Sequence, residues 1–231
     1  MTIKKINSKF LFCLVPFLLG VLSSFSLPPY NLFILNFFTF PIFFIFFIKN
    51  YKKKKLLSFL IGWLFGFGYF ISNLYWITNS LTFEDIFKPL IPFAFLLVPA
   101  FLGVFYGLAT LSCSFFELNK NYSSLLIFAI ILSIVEFIRG TILSGFPWNL
   151  TAYSWVNYND FLQILAFVGT YTFNLLSITF FLAPSIIFFN NSFKSKSILV
   201  FFSILLIVIN IYYGKSVKNN YTKLESIELN P

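Results

Sequence analysis

Residues 136–153, EFIRGTILSGFPWNLTAY, end a long apolar run with two charged residues and then interrupt it. Glu136 and Arg139 are three residues apart, so on a helix they lie on one face and can form a pair. Gly145 and Pro147 disfavour continued helix, and Trp148 follows directly. This stretch therefore predicts a helix end that carries a charged pair, followed by a compact break in the chain.

The whole chain has the composition of a membrane protein. Of its 231 residues, 59% are hydrophobic and only 10% are charged, and its mean hydropathy is +0.89. An ordinary soluble domain has about 25% charged residues. The chain contains no His and two cysteines, Cys13 and Cys113, both inside apolar runs. A His-based catalytic triad is therefore excluded, and we predict neither a metal site nor a cofactor.

Apolar runs divide the chain into candidate membrane spans. A hydrocarbon core of about 30 Å needs about 20 residues of helix. Runs of this order predict an all-α fold, a polytopic bundle of about seven transmembrane helices, in which Pro41 allows a kinked or partly re-entrant second span. The runs are residues 10–27, 31–48, 56–78, 89–116, 123–140, 161–189 and 196–213.

Lysine placement predicts the orientation of these spans. Eleven Lys lie in the alternate segments 1–9, 49–55, 117–122 and 190–196, and four lie in the segments on the other side. By the positive-inside rule the N-terminus is cytoplasmic and the C-terminus is extracytoplasmic. The formal charge of +9 thus reflects topology, and we expect no nucleic-acid partner. We predict a transmembrane domain over 1–213 and an extracytoplasmic tail over 214–231.

Two spans carry pairs of small residues at helical spacing. Gly62 and Gly66 lie in the third span, and Gly103 and Gly107 lie in the fourth. Small residues four positions apart let two helix backbones approach closely in a membrane. The pattern favours direct packing of the third span on the fourth.

Several polar and aromatic residues are predicted near the outer ends of the spans. Asn73 lies about one turn inside the membrane and should seek a hydrogen-bond partner, and Trp76 lies close to the same face. For Gln163 and Asn174 in the sixth span, bonding to another helix is favoured over a ligand role. For Trp155 and Tyr158 an aromatic belt at the headgroup level is favoured.

The pair at the end of the fifth span allows two interpretations. Glu136 and Arg139 form an interfacial ion pair that fixes the helix end, or Arg139 holds an anionic group such as a lipid phosphate or a partner carboxylate. The compact break at Phe146, Pro147 and Trp148 indicates a shaped re-entrant or lipid-facing element. No carboxylate pair, Ser/Lys pair or reactive Cys environment is visible that could perform acid-base or covalent chemistry unaided.

Four blocks of the sequence resemble one known family. In chain order they are SLPPYNLFIL (26–35), GWLFGFGYFISNLYWI (62–77), EFIRGTILSGFPWNLTAYS (136–154) and QILAFVGTYTFNLLS (163–177). They resemble the membrane domain of bacterial apolipoprotein N-acyltransferase over nearly the whole chain, in order and spacing. The E-[FL]-x-R-G…G-F-P-W block is the most specific part of the resemblance.

The resemblance implies an activity and its division between two domains. The family transfers an acyl chain from a phospholipid to the α-amino group of the diacylglyceryl-cysteine at a lipoprotein N-terminus. The transfer passes through a thioester on a Cys, within a Glu-Lys-Cys set on a periplasmic nitrilase-like domain between the seventh span and an eighth. In this sequence 214–231 is interpreted as a tail or as the start of that domain, which we expect to be missing in a truncated chain.

Catalytic residues cannot be carried over from the family to this sequence. Cys13 and Cys113 lie in predicted spans, so neither takes the place of the family's nucleophile. Whether the chain is itself an enzyme stays open, and we expect residues 1–231 alone to form no acyl-thioester. The resemblance implies that the membrane half docks the catalytic domain at the outer leaflet and admits lipid tails laterally.

The candidate lipid-binding or docking residues follow from this expectation. They are Glu136, Arg139, Gly145, Phe146, Pro147, Trp148, Asn73 and Trp76. The expected partners are phospholipid and the lipoprotein substrate, and the expected location is the bacterial inner membrane with a periplasmic C-terminus. Two other classes stay open: a non-catalytic scaffold that pairs with a separately encoded nitrilase-like half, and a small transporter in which Glu136 and Arg139 line a path.

Overall fold

The computed structural model of the chain describes residues 2–142, 145–189, 196–197, 205 and 208–219. These residues form helices and turns without a β-strand, which confirms the predicted all-α class. The α-helices are α1 (Thr2–Ser24), α2 (Asn36–Asn50), α3 (Lys55–Asn73), α4 (Ile91–Cys113), α5 (Tyr122–Thr141), α6 (Asn159–Leu162), α7 (Leu165–Val168) and α8 (Thr170–Leu182). Short 3₁₀ turns occupy Phe33–Leu35, Tyr51–Lys53, Tyr75–Thr82, Asp85–Leu90, Thr151–Trp155 and Ala183–Phe188. Residues 208–219 are also helical.

Five helices of the described chain are long and apolar enough to cross a membrane. They are Phe33–Asn50, Lys55–Asn73, Asp85–Cys113, Tyr122–Thr141 and Thr170–Phe188. Each matches one predicted span, and Phe10–Ser24 at the first predicted span is a shorter apolar helix. Half of the predicted span 196–213, and residues 220–231 of the predicted tail, lie outside the described residues.

Several predicted boundaries differ from the structure. The third span ends at Asn73 instead of residue 78, because the chain then passes into the 3₁₀ turn Tyr75–Thr82. The sixth span begins at Thr170 instead of residue 161, since Gly169 has φ +77° and separates α7 from α8. Helix α2 continues through Pro41 without a break. Past Gly214, where the sequence predicts the polar tail to begin, the backbone stays helical to residue 219.

The core is built mainly from phenylalanine rings at the centre of the bundle. Phe65 of α3 is fully buried, and its ring stacks on that of Phe43 of α2 with centroids 4.1 Å apart. Trp155 belongs to this core as well, because it is 6% exposed and stacks on Phe181 with an interplanar angle of 4°. The aromatic belt predicted for Trp155 is therefore wrong, whereas Tyr158 is 44% exposed.

Helix α3 packs backbone to backbone on α4, as the small-residue pairs predict. A Cβ atom on Gly62 would lie 2.2 Å from the carbonyl oxygen of Tyr106, and one on Gly66 would lie 2.9 Å from the Cα of Gly103. On the other side of α3, a Cβ on Gly68 would lie 2.2 Å from the carbonyl oxygen of Phe17 in α1. Glycines thus bring α1 and α4 against opposite sides of α3.

Gly62→Ala is expected to destabilise the bundle. The new methyl group would meet a backbone oxygen that cannot move without shifting α4, and overpacking of this kind costs about 1–3 kcal/mol. The matched control is Gly107→Ala, whose Cβ would lie 2.7 Å from the Phe59 ring, a side chain that can rotate away. Thermal unfolding in one detergent should show the larger loss for Gly62→Ala; equal losses would contradict a backbone contact at Gly62.

Candidate functional site

The chain after α5 turns back and packs on the end of the bundle. Gly145 makes this return possible, because its φ is +77° and a Cβ there would lie 2.4 Å from the carbonyl oxygen of Gly140. The amide of Phe146 then donates to the carbonyl of Arg139 at 3.0 Å. We call residues 145–155 the clamped loop, since hydrogen bonds from four places in the bundle hold it.

Arg139 makes the first of these attachments. Its Nη1 donates to the carbonyl oxygens of Phe146 at 2.7 Å and Trp148 at 2.9 Å. The side chain is 1% exposed, and its guanidinium carbon lies 5.2 Å from the centroid of the Phe70 ring. Its Nε and Nη2 have no hydrogen-bond partner among the described residues. Arg139 therefore acts on the loop backbone from inside the protein.

Glu136 makes the second attachment, through Asn174 of α8. One carboxyl oxygen accepts from the Tyr106 hydroxyl at 2.5 Å, and the other accepts from the Asn174 amide. The carbonyl oxygen of Asn174 in turn accepts from the backbone amide of Ala152 at 2.9 Å. This chain of bonds links α4, α5 and α8 to the loop, and it confirms the predicted bonding of Asn174 to another helix. The same prediction for Gln163 is wrong, because its amide donates to the carbonyl of Asn159 in the adjoining α6 at 3.4 Å.

Asn149 makes the third attachment, to α3. It adopts φ +60°, a conformation that Asn tolerates better than most residues. Its side-chain amide donates to Asn73, and the Tyr69 hydroxyl donates to its carbonyl oxygen at 3.2 Å. Asn73 also donates to the carbonyl of Ser24 at 3.5 Å. Asn73 is predicted to seek a hydrogen-bond partner, and it finds two, in the clamped loop and at the end of α1.

Ser154 makes the fourth attachment, to the connection between α1 and α2. The Asn36 amide donates to the hydroxyls of Ser26 at 2.9 Å and Ser154 at 3.1 Å. Asn36 also accepts from the Ser23 hydroxyl at 2.7 Å. These four side chains are each at most 1% exposed, so they close the loop against the bundle in a buried polar cluster.

Of the two interpretations of the charged residues, the direct ion pair between Glu136 and Arg139 is wrong. Both residues lie on the buried face of α5, as their spacing predicts. Glu136 and Arg139 form no ion pair with each other, whereas Lys88 and Asp85 do pair. Other partners are available to each of them from α4, α8 and the loop, because the bundle brings those elements around the end of α5.

The candidate residues divide into a buried set and an exposed set. Glu136, Arg139 and Asn73 are buried, and Gly145 and Phe146 are half-buried at the start of the loop. Pro147 and Trp148 form its exposed tip, with Trp148 58% exposed. Trp76 is 44% exposed in the 3₁₀ turn after α3 and makes none of the loop attachments. The tip is thus the part of the clamped loop that another molecule can reach.

Sequence reasoning missed Tyr106, Asn149, Asn36 and Ser154 as members of the site. Tyr106 and Asn36 are polar residues within apolar spans, and Asn149 and Ser154 lie in the block 136–154 that carries the family resemblance, so these positions were the available signals. Burial raises the pKa of the Tyr153 phenol in the loop above its ordinary value, so this group stays neutral. Within the described chain no three Cys, Asp or Glu side chains are grouped to hold a metal ion. The arrangement can present a rigid loop at the bundle end.

Comparison with known proteins gives a consistent match. The chain matches the family described as apolipoprotein N-acyltransferase N-terminal domain over residues 19–183. It is 37% identical to an apolipoprotein N-acyltransferase of Allorhizobium ampelinum over 56% of this chain and 25% of that protein. It is 33% identical to one of Rickettsia prowazekii over 73% of this chain and 34% of that protein. The chain spans about a quarter of the length of the first of these relatives.

Proposed function

Because the chain belongs to the apolipoprotein N-acyltransferase N-terminal domain family, we propose that it forms the membrane-embedded part of such an acyltransferase. The proposed reaction moves an acyl chain from a phospholipid to the N-terminal diacylglyceryl-cysteine of bacterial lipoproteins. The proposed location is the bacterial inner membrane, with the N-terminus in the cytoplasm and the clamped loop on the periplasmic side. Phospholipid and lipoprotein are the proposed partners.

Within that reaction we assign the described residues a docking role instead of a chemical one. The observation that carries this role is the clamped loop, whose backbone is held by buried side chains while Pro147 and Trp148 stay exposed. A preformed loop binds a partner surface without losing conformational entropy on contact. An exposed Trp on such a loop is a favourable anchor for a catalytic domain that sits over the bundle end.

A transporter is less compatible with this site. Glu136 and Arg139 are each 1% exposed, and Glu136 bonds to protein groups through both carboxyl oxygens. Charged groups that serve a transport path line a water-filled cavity. Enclosure on all sides favours the docking role over a path for ions or solutes.

Trp148→Ala is expected to lower lipoprotein N-acylation without lowering the amount of folded protein. The test replaces the matching part of the Rickettsia prowazekii acyltransferase with residues 19–183 of this chain and measures N-acylation of a lipoprotein by mass spectrometry. An interface anchor is worth about 2 kcal/mol, so we expect a loss of about thirtyfold.

Phe38→Ala is the matched control for this experiment. Phe38 is an aromatic residue of α2 that is 62% exposed on the side of the bundle, so its loss should leave N-acylation unchanged. Equal activities of the two variants would contradict docking at the loop tip. An inactive chimera that is folded and abundant before any substitution would contradict the proposed function itself.

A further inference from the structure

A lysine-rich turn connects α2 to α3. Five of the seven residues at 49–55 are lysine, and they occupy the end of α2, the 3₁₀ turn Tyr51–Lys53 and the start of α3. The side chains of Lys49, Lys52, Lys54 and Lys55 are exposed. The turn therefore presents at least four ammonium groups within seven residues.

This turn is fixed to the connection between α4 and α5. The Tyr51 hydroxyl accepts from the amide of Leu118 at 2.9 Å and donates to the carbonyl of Leu118 at 3.0 Å. The Ser58 hydroxyl donates to the carbonyl of Tyr51 at 3.2 Å. Leu118 precedes the start of α5, whereas the clamped loop follows its end. The two connections thus form one surface at the opposite end of the bundle, and we call residues 49–56 and 115–120 the basic face.

Apolar side chains lie among the lysines of the basic face. The Nζ of Lys55 lies 3.6 Å from the centroid of the Phe115 ring, and Phe115, Phe116 and Leu56 are all exposed. A cation over an aromatic ring is a favourable contact. Lysines beside exposed apolar groups at the end of a spanning helix hold their ammonium groups at the level of lipid head groups. The basic face therefore meets both the head groups and the upper part of the acyl chains.

The positive charge of the basic face is not neutralised by neighbouring acids. The face has six lysines and one acidic residue, Glu117. No ion pair in the part of the chain that the structure describes includes Lys49, Lys52, Lys54 or Lys55. Segments 1–9 and 190–196, predicted on the same side of the membrane, contain five more lysines and no Asp or Glu. Their sequences can only add to the positive charge.

We propose that the basic face binds an anionic phospholipid of the adjoining leaflet, with the phosphate group among Lys52, Lys54 and Lys55. An acyl chain of the same lipid lies against Leu56 and Phe115. A soluble polyanion gains nothing from these exposed apolar side chains, whereas a phospholipid satisfies both them and the lysines. The site lies at the opposite end of the bundle from the clamped loop, and the proposal does not rest on the function proposed above.

Native mass spectrometry of the full chain tests this site. The chain is released from detergent micelles that contain equal amounts of phosphatidylglycerol and phosphatidylcholine with identical acyl chains. We expect saturable retention of phosphatidylglycerol at about ten times the level of phosphatidylcholine. Each lysine near an anionic lipid surface strengthens binding about fivefold. The triple variant Lys52→Gln, Lys54→Gln, Lys55→Gln should therefore reduce this ratio at least fivefold.

A second triple variant removes the same charge elsewhere in the chain. Lys88→Gln, Lys215→Gln and Lys218→Gln should leave the lipid ratio unchanged. Lys88 lies in the turn before α4, at the other end of that helix from Phe115. Lys215 follows Gly214, where a Cβ atom would lie 1.7 Å from the carbonyl oxygen of Asp160 in α6. Equal losses in the two triple variants would mean that net charge alone attracts the lipid, and this would overturn the proposal.

Two further measurements separate a lipid site from a site for free phosphate. Glycerol 3-phosphate in tenfold excess should not displace phosphatidylglycerol, since it offers no acyl chain. Phe115→Ser should lower retention of phosphatidylglycerol about threefold, whereas Phe93→Ser, at an exposed position near the other end of α4, should not. Displacement by glycerol 3-phosphate, or unchanged retention in Phe115→Ser, would contradict binding of a lipid at the basic face.

Discussion

Arg139→Leu is expected to lower the free energy of unfolding by about 3 kcal/mol or more and to release the clamped loop. The guanidinium donates to two loop carbonyls, and hydrogen bonds that involve a charged group are worth about 1.5–3 kcal/mol each. Leucine fills much of the same space but offers no donor. The carbonyls of Phe146 and Trp148 then lose their partner, and the return of the chain onto the bundle loses its first attachment.

Release of the loop can be measured separately from stability. Ala152 is 2% exposed, so a cysteine at this position should react slowly with a maleimide in a chain whose own two cysteines are replaced. If labelling proceeds through opened states, a loss of about 3 kcal/mol in loop stability raises the rate about a hundredfold. Arg139→Leu should therefore speed the labelling of residue 152 by about that factor.

Arg139→Lys and Lys88→Leu are the controls for this prediction. Lysine keeps the charge but lacks the planar fork, so Arg139→Lys should recover only part of the lost stability. Lys88 lies at the same end of the bundle, in an ion pair whose side chains are 55% and 92% exposed. Its removal should change stability by less than about 1 kcal/mol. Slow labelling of residue 152 in Arg139→Leu would show that the clamped loop stays attached to the bundle without Arg139.

The sequence was sufficient to predict the class of fold and one of its helix contacts. Long apolar runs leave few alternatives to membrane helices, and the glycine pairs of α3 and α4 predict the contact that the structure shows. The contact of Gly68 with α1 could not be predicted in the same way. Gly20 is the only glycine of α1, so no repeated spacing marks the face of α1 that packs on α3.

The partners of the site residues could not be predicted from local spacing. Glu136 and Arg139 lie on one face of α5, and spacing alone favours a pair between them. Their actual partners come from other elements, because Tyr106 and Asn174 are 30 and 38 residues away from Glu136. The crossing angles and positions of the helices decide which polar groups come into contact. An apolar membrane sequence carries little information about how its helices cross.

Glu136→Leu and Asn174→Leu are each expected to lower the free energy of unfolding by about 3 kcal/mol. The double variant should lose less stability than the sum of the two single variants. Glu136→Leu leaves the Tyr106 hydroxyl and the Asn174 amide without an acceptor. Asn174→Leu leaves the buried amide of Ala152 without one. An unsatisfied buried polar group costs about 1–3 kcal/mol. The bond between the two side chains is lost in both single variants but only once in the double variant.

Glu136→Gln should lower the free energy of unfolding by less than Glu136→Leu does. The reason is that each hydrogen bond in this chain needs one donor and one acceptor, and glutamine still offers one acceptor. Glu136 accepts through both oxygens, and Asn174 uses its amide toward Glu136 and its oxygen toward Ala152. Glutamine has one acceptor in place of two. If it accepts from Asn174, its own amide faces the Tyr106 hydroxyl, whose hydrogen then has no acceptor. Glu136→Gln thus leaves one group unsatisfied where Glu136→Leu leaves two, which predicts a loss of about 1–3 kcal/mol in the free energy of unfolding.

A double-mutant cycle measures the coupling between Glu136 and Asn174 directly. Residues that bond to each other show coupling energies of about 0.5–3 kcal/mol, whereas distant residues add within about 0.5 kcal/mol. Asn121 is the matched distant partner, since it caps the opposite end of α5 by accepting from the amide of Ser124. Glu136→Leu should therefore couple to Asn174→Leu and be additive with Asn121→Ala. Additivity in both cycles would mean that α5 and α8 hold the loop independently of each other.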